Sequence, residues 1–224
     1  MISGAPIELQ IELLEVENTD VVKREVWEMN TEEKYLLVPS KIESASVKFR
    51  ENDFKAAKLR YEDALRLIQS VDSSGIVLDL KKDRMDLERD YKSHKTNTEP
   101  PLVPFGSTQI NLDAVENYVK RVNLNLSACE LKLGDHKACI GYCDTVLDGD
   151  SGCVKALWRR ALCFLEIGRD LERVRSDFEA IERINGFVVG GAEWVQLQKQ
   201  KRVLDEKVAN QVRKEKDMYF GKLF

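Results

Sequence analysis

Lys155 and Arg159 stand four residues apart, which puts two cations on one face of a helix, and Asn125 lies two residues before the small Ser127 of an earlier helical segment. Two cations and an amide suit a ligand with carboxylates, above all a peptide whose C-terminal and side-chain acids take charge-assisted hydrogen bonds. His136, Cys139 and Cys143 also share a helical face, at i, i+3 and i+7, a geometry a metal can use. They lack a close fourth ligand, and buried thiols are common, so the reading is structural cysteine and no metal. Neither histidine, His94 or His136, has a Ser or Cys nucleophile and an Asp partner in the local sequence. There is no glycine-rich phosphate loop, and the carboxylates follow solvated helix faces, so neither an enzyme nor a cofactor is expected.

The elements that must position these residues are helical. The chain has 224 residues, 43% hydrophobic and 33% charged, with only 5 Pro and 12 Gly, a mixture that suits helices with solvated faces better than a sandwich or barrel. Its 35 basic and 39 acidic residues nearly cancel, leaving a net charge of -4, so no overall field draws it to nucleic acid or to an anionic membrane. No apolar run approaches the roughly 20 residues of a membrane span, and acidic residues interrupt the apolar N-terminus, so the expected location is cytoplasmic, with the nucleus also open. Cys129, Cys139, Cys143, Cys153 and Cys163 are odd in number and confined to one 35-residue stretch, which suits a reducing compartment.

Three segments share one template of small and apolar residues around a turn. The first is Ala45, Phe49, Asn52-Asp53, Ala57, Tyr61, Ala64; the second Ser127, Leu131, Gly134-Asp135, Cys139, Cys143, Val146; the third Ala161, Leu165, Gly168, Val174, Phe178, Ile181. Each predicts a helix-turn-helix hairpin. From Ser127 to Ala161 is 34 residues, the period of a tetratricopeptide repeat, and Cys139 to Val174 is 35, so the third turn carries about one extra residue. Small residues are required where adjacent helices approach closely. From Ala45 to Ser127 is 82 residues, one period plus 48, which demands an insertion at about 71–107. Its charged part either extends the preceding helix or makes a short helix of its own; Pro100, Pro101 and Pro104 then forbid a continuous helix, and a mobile, partly disordered excursion is expected.

The fold expected is therefore all-α: a tetratricopeptide-repeat solenoid of three hairpins, at about 31–70, 110–149 and 154–187, closed by a capping helix at about 191–220. Trp194, Leu197, Leu204, Val208, Val212 and Tyr219 supply the capping stripe, and Gly190 and Gly191 mark the break before it. Residues 7–13 alternate apolar and polar as a half-buried strand would, without a partner strand in the chain. Asn30 and Glu33 have the spacing of a capping box.

These motifs carry a family likeness. PIELQIELLEVE resembles the final strand of an FKBP-type peptidyl-prolyl isomerase domain, VWEMNTEEK resembles the linker and first turn that follow it, and NLSACELKLGD, VKALWRRALCFLEIG and EKDMYFGKLF resemble, in order, the C-terminal tetratricopeptide domain of the large FKBP-type immunophilins. EMNTEEK with Val38-Pro39 just ahead of the first repeat is similar to the aryl hydrocarbon receptor-interacting protein branch; WEMNTEEK alone is closer to the steroid-receptor branch. The likeness makes residues 1–20 a last strand and linker and 21–224 the repeat domain.

The resemblance implies a co-chaperone. Asn125, Lys155 and Arg159 match the family's carboxylate clamp, which grips the acidic C-terminal peptide of heat shock protein 90 or 70. The first repeat departs from the pattern, with Ile42 and Ser46 where the family has Lys and then Asn or Thr. Ser46 still offers a hydroxyl, whereas Lys41 is one position off, about 100° round the helix. With only the last strand of an isomerase domain, the chain carries no isomerase site; the alternatives are the C-terminal part of an isomerase, or a scaffold for another client. The basic stretch Lys199 to Lys216 with its apolar stripe is a candidate calmodulin site, as suggested for some relatives, with a capping helix as the competing reading.

Overall fold

The computed structural model describes residues 26–94, 110–184 and 191–220. The expected strand at 7–13, the proline-rich stretch, Gly190 and the closing residues 221–224 lie outside them. The described residues form a short 3-10 turn, Val26–Glu28, and eight helices: α1 (Thr31–Arg50), α2 (Phe54–Asp72), α3 (Gly75–His94), α4 (Leu112–Leu133), α5 (His136–Gly149), α6 (Val154–Ile167), α7 (Leu171–Arg183) and α8 (Ala192–Phe220).

Local chemistry sets most of the boundaries. α1 begins with a complete capping box: the Glu33 amide donates to Asn30 Oδ1 at 2.8 Å, and the Asn30 amide to Glu33 Oε2 at 2.9 Å. Helix α1 then runs straight through Pro39, which is exposed, so Val38-Pro39 sits inside the first repeat's leading helix instead of ahead of it. The three hairpin turns each pass through the left-handed region, at Asn52 (φ 63°), Gly134 (φ 83°) and Gly168 (φ 71°), and Asp53 and Asp135 cap the returning helices through the amides of Ala56 and Ala138. The third turn is one residue longer than the second, uses a second left-handed residue, Asp170 (φ 53°), and lacks a side-chain cap.

Hairpins α1/α2, α4/α5 and α6/α7 stack so that α2 also packs on α4, α5 on α6, and α7 on α8. This is a tetratricopeptide-repeat solenoid. Close approach is bought by small side chains: Ala45, Ala57, Ala64, Ser127, Cys139, Cys143 and Ala161 are all fully buried at the crossings. Tyr61, Phe178, Ile181 and Leu126 fill the space between.

The insertion contains α3, so its charged part makes a helix of its own, one of the two alternatives the spacing left open, and that helix is ordered against the repeats where mobility was expected. Val77 is fully buried and Leu80 packs on the same core, while Arg84 pairs with Asp113 (2.9 Å) and Glu116 (3.2 Å) of α4, and Lys81 with Asp72 of α2 (2.7 Å). Val77, Leu80, Lys81 and Arg84 fall on one helical face, so this face docks and the rest stays in water. At the other end, α8 buries Leu197 and Leu204 against the third hairpin with Val208 partly covered, but Val212 and Met218 are exposed. The capping stripe packs at Leu197, Leu204 and Val208. No helix among the described residues is long and apolar enough to cross a membrane.

Candidate peptide-binding groove

α6 divides its faces sharply. Ala156, Leu157, Ala161 and Leu165 go into the core, leaving Lys155 exposed and Trp158 and Arg159 half-buried on the opposite side. Trp158 leans on Phe178 of α7 with ring centroids 5.9 Å apart, so the indole forms a fixed wall. Val154, Trp158 and Ile181 form the apolar side of a cleft of about 230 Å³; Lys155 and Arg159 supply its cations, and Glu193 and Gln196 of α8 face them.

Arg159 does more than face solvent. Its Nη1 donates to the backbone carbonyl of Leu124 and to Ser127 Oγ (3.1 Å), tying α6 to α4. Leu124 is the neighbour of Asn125, which is half-buried on α4, so the guanidinium and that amide belong to adjoining turns of two stacked helices. The cleft itself is lined without Asn125 or Ser46. Lys155 makes no hydrogen bond or ion pair among the described residues and keeps its donors available.

The first repeat contributes differently. Ile42 is 1% exposed and belongs to the core, and Lys41 points into solvent. Ser46 Oγ donates to the Ile42 carbonyl (2.9 Å) and lies 3.0 Å from the Tyr61 hydroxyl, so its hydrogen-bonding capacity is used internally. Burial pushes the Tyr61 phenol up, countered in part by that Ser46 bond.

Two charged groups that sequence spacing did not single out tie neighbouring helices together. Arg160, beside Arg159 but on the core side, makes a bidentate pair with Asp177 of α7 (3.0 and 2.6 Å) and a third bond to Asp144 of α5 (2.6 Å). The Asp177 hydrogen bonds come first among the causes that raise the guanidinium's pKa further. Glu130 of α4, 1% exposed, is met by Lys58 of α2 at 2.7 Å as an ion pair, and neither carboxylate oxygen has a conventionally directed hydrogen bond. That close contact with the Glu130 carboxylate raises the Lys58 pKa, outweighing burial.

All five cysteines are free, and Cys129, Cys139, Cys143 and Cys163 are fully buried. Burial pushes the Cys129 thiol up to about 11; Cys139 reaches about 12, a hydrogen bond with Cys143 pulling it down and those with Cys163 and burial more than reversing this. Among the described residues no group of three or more His, Cys, Asp or Glu side chains is arranged to hold a metal. Half-buried Cys153 is the accessible thiol. Alkylation of the folded chain at pH 8 is therefore expected to mark Cys153 first, since a thiol at pKa 12 is thiolate only about one part in ten thousand. Peptide mass mapping before and after denaturant checks this.

Comparison with known proteins bears on the fold that carries this cleft. No protein-family model matches the chain. The peptidyl-prolyl cis-trans isomerase FKBP4 of Homo sapiens is 26% identical over 196 residues, covering 88% of this chain and 34% of that protein. The isomerase PASTICCINO1 of Arabidopsis thaliana is 26% identical over 137 residues, covering 61% of this chain and 16% of its own length. The chain is similar to the repeat region of FKBP-type immunophilins. Among solved structures, the C-terminal TPR-containing domain of a Plasmodium falciparum FK506-binding protein superposes on 84% of this chain and 99% of its own, with a TM-score of 0.59 at 18% identity. The immunophilin-like region aligned here is the repeat part and not the isomerase domain, and the chain spans about a third of the length of the human relative.

Proposed function

We propose that the chain is the protein-binding module of an immunophilin-type co-chaperone, and that its groove takes the acidic C-terminal peptide of heat shock protein 90 or 70. The observation that carries this is the cleft on α6: two cations one turn apart, Lys155 with its donors available and Arg159 pinned to α4, beside a rigid apolar wall. Such a site holds carboxylates through charge-assisted bonds and an aliphatic side chain against Trp158. Asn125 adds an amide donor from the neighbouring repeat.

The first repeat adds little in this reading. Ile42 is buried and Ser46 is engaged by Ile42 and Tyr61, so the carboxylate loses a contact worth about 1.5 to 3 kcal/mol, or one to two decades in affinity. Isomerisation, where the whole protein performs it, belongs to chain outside this region. The cytoplasm is the location that fits a chaperone partner. The packing of α8 favours a capping role, because Leu197 and Leu204, which a calmodulin-type partner would have to bury, already lie in the core of the third hairpin.

Calorimetric titration with a peptide ending in Glu-Glu-Val-Asp tests the reading. Saturable binding is expected, weakened several-fold by a C-terminal amide and by raised salt. Absence of binding by the unmutated chain overturns it and leaves a scaffold for a different client.

A further inference from the structure

The α8 side of the cleft carries a charge of the opposite sign. Glu193 is exposed in the first turn of α8 and lines the same cleft as Lys155 and Arg159, yet no ion pair joins it to either among the described residues. A cleft with cations on one wall, a carboxylate on the other and an apolar surface between them is not satisfied by an acidic ligand alone. An all-acidic peptide reaching α8 would meet repulsion there, whereas one with a cation at that point would gain a second pair.

We infer that the groove reads a bipolar peptide: acidic residues held by Lys155 and Arg159, an aliphatic side chain against Trp158, and a Lys or Arg side chain paired with Glu193. This rests on the acidic-peptide reading of the groove and deepens it by naming Glu193 as the residue that sets partner choice. The cost of pairing is small because Glu193 stands on an ordered helix whose Leu197, one turn on, is fully buried. Gln196, on the same edge of the cleft, offers an amide that accepts from the same cation or donates to the peptide backbone.

The test uses the full chain and two sets of acidic-tailed heptapeptides, identical except that a single lysine or a single glutamine is walked through the first four positions. Fluorescence anisotropy is expected to show one lysine position binding about fivefold tighter than its glutamine match, the preference shrinking at high salt. Glu193→Gln is expected to erase that preference and to tighten the glutamine set slightly, because the acidic tail no longer faces the Glu193 carboxylate. Glu193→Lys is expected to reverse the preference, the glutamine peptide binding tighter than its lysine match at the same position. A role for Glu193 only at the helix N-terminus would move none of these ratios. Lysine peptides that bind no better than glutamine peptides at every position, or a preference that survives Glu193→Gln, overturn the inference while the acidic-peptide reading stands. Failure of every peptide to bind the unmutated chain overturns both.

Discussion

Replacing Arg160 by methionine is expected to lower the stability of the third hairpin by about 3 kcal/mol, read as a fall of roughly 6 to 12 °C in Tm by calorimetry. The side chain spans three helices: two bonds to Asp177 on α7 and one to Asp144 on α5. Asp177 is 4% exposed in its side chain, so removing the guanidinium leaves a carboxylate in a low-dielectric site with no cation to offset its desolvation. Arg160 retains 21% exposure and Asp144 41%, which is why the lower end of the range for broken buried pairs applies. The penalty belongs to the stranded carboxylate more than to the lost bond. Arg160→Met combined with Asp177→Leu is therefore expected to recover most of the loss, and a double variant as unstable as Arg160→Met alone refutes this account. In a stacked solenoid the damage should begin locally, with α7 and α8 gaining hydrogen exchange before α1 and α2.

Arg159→Ala and Lys155→Ala are expected to part company, although the two cations look equivalent from their spacing. The Lys155 side chain makes no hydrogen bond or ion pair among the described residues, so its removal should weaken an acidic peptide about tenfold by calorimetry and leave Tm within about 1 °C. Arg159 bonds the Leu124 carbonyl and Ser127 Oγ across the stack. Its removal should weaken the peptide about 30-fold or more and also cost about 1 to 2 kcal/mol of stability, because a partly buried carbonyl on α4 loses its extra donor and the groove wall loosens. Arg159→Lys keeps the charge but not the planar fork, so affinity is expected to stay well below that of the unmutated chain. Equal losses of affinity for the two alanine variants, with no change in Tm for either, would refute the structural half of Arg159's role.

The groove and the fold differ in how much of them the chain spells out locally. The capping pair Asn30 and Glu33 and the turn residues Asn52, Gly134 and Gly168 all act within a few residues of themselves. Each has its meaning through a hydrogen bond or a backbone angle close by, so composition and spacing suffice to read them. Small residues at the crossings are legible for a related reason: only a fully buried Ala45, Ala57 or Ser127 lets two helix axes approach, whichever helix the neighbour is. The insertion was harder. A charged stretch with loose apolar spacing left a helix of its own open but looked mobile, and what orders α3 is Arg84 reaching Asp113 and Glu116, and Lys81 reaching Asp72, partners 9 to 32 residues away.

By itself, then, the amino-acid sequence determined the all-α repeat architecture, its hairpins and turns, and the candidacy of Lys155 and Arg159 for holding acid, because helix periodicity and capping are short-range and a pair at i, i+4 shares a face in any helix. Tertiary structure alone decided what each candidate has left to offer. It engaged the Ser46 hydroxyl with Tyr61, sank Ile42 into the core, pinned Arg159 to α4 while sparing Lys155, turned the neighbouring Arg160 inward to Asp177, and brought Glu193 across the cleft from 34 residues beyond Arg159. The physical reason is that a side chain's free donors and acceptors are what remains after its neighbours in space have been satisfied, and in a stacked solenoid those neighbours come from the next repeat.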